Sequence, residues 1–285
     1  MKTKNADLLM QSWVCSQLIK GPVNGFINTF AKEFNLSRPV ASRIVKQLVA
    51  DDRIILSGSP RKPIYSLGTT RSIFHIYPRE EVDEDMKWTL DFAPYFDLPP
   101  NIRDIVHHGF TEMLNNAHDH SCGNFVTVSI EKNAKELSMM VGDDGIGIFE
   151  KIRSELNLPD KRLAMLELSK GKLTTDSANH SGEGIFFTSR MFDVFIIKAN
   201  GLDYSHDIKL PFDFLMENKL MKTYDRKGTF VFMNISLDSQ RTTKEIFNQY
   251  TLDPDELSFN KTVVPVRLAN FTFTGKTTGC TFRRF

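Results

Sequence analysis

The chain has 285 residues and nearly balanced charge, with 36 Lys and Arg against 35 Asp and Glu. This length allows one to three domains with a buried core. No run of 18 apolar residues argues for a membrane span, three cysteines are too few for a disulfide framework, and no leading apolar segment resembles a signal peptide. We therefore expect a cytoplasmic protein without a membrane partner.

The first 77 residues carry the positive charge, with 11 basic and 4 acidic residues against 25 and 31 in the remainder. Periodic apolar residues predict helices over 6–19 and 26–34, and a cap at Ser37 predicts a third helix from residue 38. Two strands are predicted next, over 53–57 and 63–67. This order resembles a winged helix-turn-helix domain, so we assign residues 1–77 to one.

The resemblance implies that the third helix enters the major groove of double-stranded DNA while the turn of the wing touches phosphate. The side chains expected to contact DNA are Arg38, Ser42, Arg43, Lys46, Gln47, Arg61 and Lys62. Excess positive charge suits phosphate contact. Two alternatives stay open, because winged domains also bind proteins and basic residues on a helix are often a solvated face.

A charged junction over residues 78–91 precedes a predicted helix that follows Pro99-Pro100 and has Asn101 as its N-cap. Glu112 and Asn116 are one turn apart at the edge of its apolar stripe. Burying either group without a partner costs about 1–3 kcal/mol. A bound ion or ligand would supply that partner.

A hairpin is predicted next, from alternation over residues 125–130 and 136–141. Asp143 then lies at a strand end, where Gly145 and Gly147 let the backbone turn close to a flat ligand. The Asp143 carboxylate would accept a hydrogen bond from the amino group of adenine, which guanine does not offer at that place. An ordinary Asp-Gly turn is the alternative.

Gly182 and Gly184 precede a helix-like run from Ile185 to Phe192, and free N–H groups at a helix start bind phosphate. The sequence contains neither a P-loop motif nor a dinucleotide-binding glycine motif. We therefore expect a Mg²⁺ ion, held partly by the Asn116 amide oxygen, to meet the phosphate charge.

These three segments, with Asp143-Asp144-Gly145-Ile146-Gly147 in the middle, resemble the N, G1 and G2 boxes of the GHKL ATPase superfamily over residues 83–238. The resemblance implies an α+β protein whose domain at 78–240 is a GHKL (Bergerat) α/β sandwich that binds ATP. It also implies a lid at about 158–180. In the matching positions, Glu112 is the catalytic base, Asn116 binds magnesium, Asp143 binds adenine, and the remaining cofactor-binding residues are Gly145, Gly147, Gly182 and Gly184.

Other polar groups near these boxes have simpler explanations. His118, His120 and Cys122 resemble a metal set, but the two histidines point to different sides of a helix and no second ligand pair has zinc spacing. His107 and His108 precede the N box, where a phosphoacceptor or a packed helix is possible. Lys170 and Lys172 either reach phosphate from the lid or are surface lysines.

Residues 241–271 resemble the opening of a STAS-like domain, with 259–269 as the matching strand region, while 272–285 depart from that pattern. We therefore expect 241–285 to be a truncated STAS-like segment with a disordered end. Three functions remain open. The chain is a bacterial ATP-gated DNA-binding regulator, a histidine or serine kinase acting on a protein partner in trans, or a non-catalytic nucleotide-binding scaffold. The absence of a helical hairpin with an acceptor histidine argues against a conventional sensor kinase.

Overall fold

A computed structural model of the chain describes residues 2–169, 184–217, 227–253, 258–259, 266–269 and 281–282. Its helices are α1 (Lys2–Leu18), α2 (Phe26–Glu33), α3 (Arg38–Ala50), α4 (Glu84–Lys87), α5 (Pro100–His120), α6 (Ile148–Glu155), α7 (Lys161–Ser169), α8 (Gly184–Met191) and α9 (Thr243–Tyr250). Its strands are β1 (Val23–Asn24), β2 (Ile54–Ser59), β3 (Lys62–Leu67), β4 (Arg71–Pro78), β5 (Phe125–Lys132), β6 (Glu136–Asp143), β7 (Val194–Ala199), β8 (Leu202–Asp207), β9 (Asp213–Glu217), β10 (Thr229–Ser236), β11 (Thr251–Asp253), β12 (Ser258–Phe259), β13 (Val266–Ala269) and β14 (Thr281–Phe282). The protein is therefore α+β, as expected.

Helices α1 to α3 and the small antiparallel sheet β1-β3-β2 form the N-terminal part. Its core is built around the Trp13 ring, which contacts the rings of Phe26, Phe30 and Phe34. The predicted helices and strands are confirmed, with ends that shift by a few residues. Ser37 occupies the N-cap of α3, although its side chain makes no capping hydrogen bond.

The second sheet has nine strands in the order β14-β13-β9-β8-β7-β10-β6-β5-β4. All neighbours are antiparallel except β13 and β9, which are parallel. The predicted hairpin is the pair β5–β6, closed by the Asn133 side chain, which accepts from the backbone N–H groups of Lys135 and Glu136. Asp143 is the last residue of β6, as predicted.

Helix α5 packs across the sheet through its buried residues, which include Ile105, Phe110, Met113 and Leu114. Gly109 lies so close to the Phe192 ring that a Cβ there would overlap it. The prediction that Asn101 caps this helix is wrong, because the helix begins at Pro100 with Pro99 as N-cap. Asn101 instead donates through Nδ2 to the carbonyl oxygens of Ser239 and Arg241, at 2.8 and 3.0 Å.

A buried ion pair fixes the end of α8. The Arg190 guanidinium donates to both Asp213 carboxylate oxygens, at 2.8 and 2.7 Å, and the Tyr204 hydroxyl donates to the same carboxylate at 2.9 Å. Burial alone would raise the pKa of Asp213, but hydrogen bonds from His206 and Arg190 hold it at about 2. Helix α8 is thereby tied to β9.

The N-terminal part joins the large sheet through β4, which pairs with β5 along its whole length and packs against α1. The Arg53 guanidinium donates to Ser72 Oγ at 2.6 Å and to Glu131 Oε2 at 2.7 Å. The predicted boundary at residue 77 therefore lies inside a strand of the large sheet, and the small sheet ends at Leu67.

The predicted C-terminal segment begins with α9, whose Ile246 is buried in the main core. Within the predicted strand region 259–269, β13 adds to the edge of the large sheet beside β9. Residues 254–257, 260–265, 270–280 and 283–285 lie outside the described part of the chain.

Candidate functional site

Glu112 and Asn116 lie one turn apart on α5 and both are half-buried, as their position beside the apolar stripe predicts. Their neighbours Met113, Leu114 and Ala117 are buried against the sheet. Within the described residues, the Asn116 side chain makes no hydrogen bond. Its amide oxygen can therefore accept a ligand without breaking an internal contact.

Glu112 meets the start of α8. A Cβ built on Gly184, the first residue of that helix, would overlap the Glu112 carboxylate. Only glycine lets the carboxylate lie this close to the backbone, and a negative charge is stabilised at a helix N-terminus. The predicted pair of N-box glutamate and G2 glycine is therefore in contact. Gly182, Lys170 and Lys172 lie outside the described residues.

The Asp143 carboxylate is held at the end of β6. Its Oδ1 accepts from the backbone N–H groups of Gly145 at 2.8 Å and Thr229 at 3.2 Å. Burial raises the pKa of this carboxyl group, although these hydrogen bonds lower it in part. A half-buried carboxylate with raised pKa has incomplete solvation, so a ligand that donates a hydrogen bond to it would be favoured.

The loop after Asp143 packs against the end of α5. The Gly145 Cα faces the Ser121 carbonyl so closely that a Cβ would overlap it, and Ile146 N–H donates to the same carbonyl at 2.9 Å. Gly147 has a φ of +85°, which only glycine adopts readily at this ψ of 138°. Glycine is therefore required at 145 by the close approach of the Ser121 carbonyl and at 147 by the positive φ.

Two further residues hold this loop. Thr229 accepts through Oγ1 from Ile148 N–H at 3.0 Å, and Asn200 contacts Ile146, Gly147 and Glu150. Thr229 is the first residue of β10, which pairs with β6 and β7. Asn200 was missed, although Asn-Gly between two strand-like runs is a hairpin signal that marks its position.

Helix α5 and its C-cap residue Ser121 thus contact both other segments. Glu112 meets Gly184, and Ser121 meets the loop at Gly145 and Ile146. Asn116 precedes Ser121 by five residues, which corresponds to about 7.5 Å along a helix axis. The described members of the three predicted boxes thus lie along the second half of α5 and at its C-cap residue.

The predicted DNA-contacting residues lie on α3 and at the tip of the β2–β3 hairpin. Arg38, Arg43, Lys46 and Gln47 are exposed, while Ser42 is half-buried. Their helix turns its buried residues Ala41, Val45 and Leu48 toward the N-terminal core. The hairpin residues Arg61 and Lys62 are also exposed. The structure therefore leaves a basic face on α3 and on the hairpin.

The histidines beside the site are held by protein contacts. His118 Nδ1 lies 2.6 Å from Asp119 Oδ1, and the described residues contain no group of three or more His, Cys, Asp and Glu that would hold a metal. Burial, and then the charge of His107, lowers the pKa of His108 to about 4. The His108 ring packs edge-on against Phe247.

No model of a known protein family matches this chain, and no curated protein matches it either. Among the described helices, none is both long and apolar enough to cross a membrane.

Proposed function

We propose that the chain is a GHKL-type protein that binds ATP with magnesium and uses the nucleotide to gate DNA binding by a winged helix domain. One observation carries the nucleotide part of this proposal. Helix α5 contacts the start of α8 through Glu112, and its C-cap residue Ser121 contacts the loop after Asp143. Three segments that are distant in sequence thus converge as an N, G1 and G2 site requires.

Asn116 fits the expected magnesium ligand, because its half-buried amide makes no hydrogen bond to another described residue. Magnesium takes one or two protein oxygens together with phosphate and water oxygens. Bound there, it would neutralise phosphate charge. Asp143 would accept from the adenine amino group, and Glu112 would polarise the attacking water as general base.

Titration calorimetry with ATP and magnesium tests the site on the parent, Asp143→Asn and Asp144→Asn. Asp143 accepts a hydrogen bond from Gly145 N–H, and Asp144 accepts from the N–H groups of Asn124 and Phe125. In each variant the amide oxygen of the new Asn side chain can still accept these backbone hydrogen bonds. We expect Asp143→Asn to lose most of the affinity and the exposed Asp144→Asn to keep it. Equal binding by the parent and Asp143→Asn would refute the adenine assignment.

Phosphate release on the same samples then distinguishes the open activities. Steady release that Glu112→Gln abolishes supports ATP hydrolysis. Transfer of labelled phosphate to an added protein would instead support a kinase, and binding with neither reaction would indicate a scaffold. Each result identifies a different chemical fate for the same bound nucleotide.

The DNA part is supported by the exposed basic face of α3 and the hairpin. Arg43→Glu reverses a charge at the centre of this face, while Lys32→Glu makes the same change at an exposed position on α2 as a control. We expect only Arg43→Glu to weaken duplex binding strongly and to reduce its salt dependence. ATP should change the duplex affinity of the parent. The proposal fails if neither the addition of ATP nor the substitution Arg43→Glu changes the affinity for duplex DNA.

A further inference from the structure

The turn between β7 and β8 is the two-residue hairpin Asn200-Gly201, since Ala199 pairs with Leu202. Both turn residues have positive φ, at +54° and +75°. Asn-Gly is the favoured sequence for this turn. The turn alone would therefore explain why Asn is present, and any further role must come from its side chain.

The Asn200 side chain spans the loop that follows Asp143. Its Nδ2 donates to the Ile146 carbonyl at 2.9 Å, and its Oδ1 accepts from Glu150 N–H at 3.2 Å. Gly147 packs against the same amide, where a Cβ would overlap it. One amide thus holds the backbone on both sides of Gly147.

The contact with Glu150 also completes α6. Gly147 is the N-cap of this helix and offers no side-chain acceptor, so one of the first N–H groups would lack a protein partner. Asn200 Oδ1 supplies that acceptor from another part of the chain, at the third helical residue, where a capping side chain normally acts. Its backbone carbonyl also accepts from Lys161 Nζ at the start of α7.

We propose that Asn200 is a positioning residue of the nucleotide site, an inference that rests on the proposed function. It holds the loop at 144–147 against Ser121, the C-cap residue of α5, so that Asp143 and Gly145 keep their mutual geometry. It also joins this loop to α6 and α7. Both the donor and the acceptor of the amide are used, so neither Gly nor Asp can replace it.

Two variants distinguish the positioning role of the Asn200 side chain from the role of residue 200 in the β7–β8 turn. Asn200→Gly retains a residue that adopts positive φ readily and removes the side chain. Asn200→Asp tolerates the same backbone and keeps the acceptor for Glu150, but replaces the donor that faces the Ile146 carbonyl. Asn157→Gly is the matched control, because Asn157 has a φ of +51° between α6 and α7.

The measurements are the Kd for ATP with magnesium and the hydrogen exchange of residues 144–150 without nucleotide. We expect Kd to rise about tenfold or more in both Asn200 variants, since loss of roughly 1.4 kcal/mol corresponds to tenfold. Exchange in this segment should be faster in both variants. The Asn157→Gly control should leave both quantities as in the parent.

An unchanged Kd in Asn200→Gly would overturn the inference and leave Asn200 as a turn residue. A parent protein that binds no ATP would instead refute the proposed nucleotide function. In that case faster exchange at 144–150 in the Asn200 variants would still support the positioning of the loop, and unchanged exchange would refute it. The two failures are therefore distinguishable.

Discussion

At the scale of single residues, the Asp143 carboxylate has the clearest chemical preference in the candidate site. Burial raises its pKa, so its charged form lacks part of the stabilisation that water would give. A ligand N–H that donates to it supplies that stabilisation and lowers the pKa in the complex. Nucleotide binding and the ionisation of Asp143 should therefore be linked.

We predict that ATP affinity increases as the pH rises through the raised pKa of Asp143 and levels off above it, because the ionised form accepts the hydrogen bond. Calorimetry at a series of pH values measures this dependence. The folded protein holds this proton more tightly than the unfolded chain, so ionisation of Asp143 also lowers stability in that window. Asp143→Asn removes both effects, and a flat pH profile in the parent would contradict the prediction.

At the scale of elements, α8 is held at both ends. Its first residue, Gly184, touches the Glu112 carboxylate, and its Arg190 forms the buried pair with Asp213. These contacts lie on opposite ends of an eight-residue helix. A substitution at Gly184 should therefore affect the candidate site, whereas a substitution in the Arg190–Asp213 pair should affect the stability of the fold.

Gly184→Ala should impair nucleotide binding or turnover, because its methyl group would displace the Glu112 carboxylate. The control is Gly142→Ala in β6, where the added Cβ would meet its nearest atoms at 3.5 and 3.6 Å. ATP affinity and phosphate release of both variants measure the effect. Parent-like values for Gly184→Ala would show that the contact between Glu112 and α8 is not needed.

Asp213→Ala should lower the free energy of unfolding by about 3–5 kcal/mol, because it leaves the Arg190 charge buried without its partner. Glu155→Ala, which breaks a surface pair with Lys151, should cost less than about 1 kcal/mol. Denaturant unfolding compares the two variants. A similar small loss in both would contradict the assigned role of the buried pair.

The same pair predicts an acid-sensitive part of stability. The Asp213 pKa of about 2 in the folded protein is lower than the ordinary value of 3.8 for an aspartate side chain. Its contribution is therefore complete above the unfolded pKa and is lost as the pH falls through the folded pKa. Unfolding measured across this acidic range should show a smaller pH dependence in Asp213→Asn than in the parent.

At the scale of the whole molecule, the contacts between the basic N-terminal part and the large sheet decide whether bound nucleotide can change the affinity for DNA. Arg53 reaches Glu131 and Ser72 beside the base of the hairpin that carries Arg61 and Lys62. Helix α1 packs against β4 at the same edge of the sheet. A change in the sheet can reach the DNA-facing elements through these contacts.

We predict that Glu131→Ala reduces the effect of ATP on duplex affinity, while each ligand alone binds about as well as to the parent. Coupling between two sites is reciprocal, so DNA should change ATP affinity by the same factor and lose that effect in the variant. The control is Glu136→Ala, at an exposed position on the β5–β6 hairpin that also contains Glu131. Full coupling in Glu131→Ala would contradict this route.

Much of the fold follows from local pattern. Apolar periodicity predicted α3 and α5, and alternation predicted the β5–β6 hairpin with Asp143 at its end. The predicted cap at Asn101 was wrong, since a local pattern does not show that its amide reaches the Ser239 and Arg241 carbonyls, which are distant in sequence. A polar side chain takes the partner that the packed chain brings to it.

The sequence by itself determined helices α1 to α3, α5 and α8, the hairpins β2–β3 and β5–β6, and the residue types of the predicted boxes, because these depend on side-chain period and on glycine where the backbone turns or packs closely. Only the tertiary structure decided which of them meet. It placed Glu112 against Gly184, Asn200 on the loop after Asp143, and Arg53 beside Glu131. These contacts join residues between 54 and 78 positions apart, and only packing of the whole sheet brings such residues within hydrogen-bonding distance.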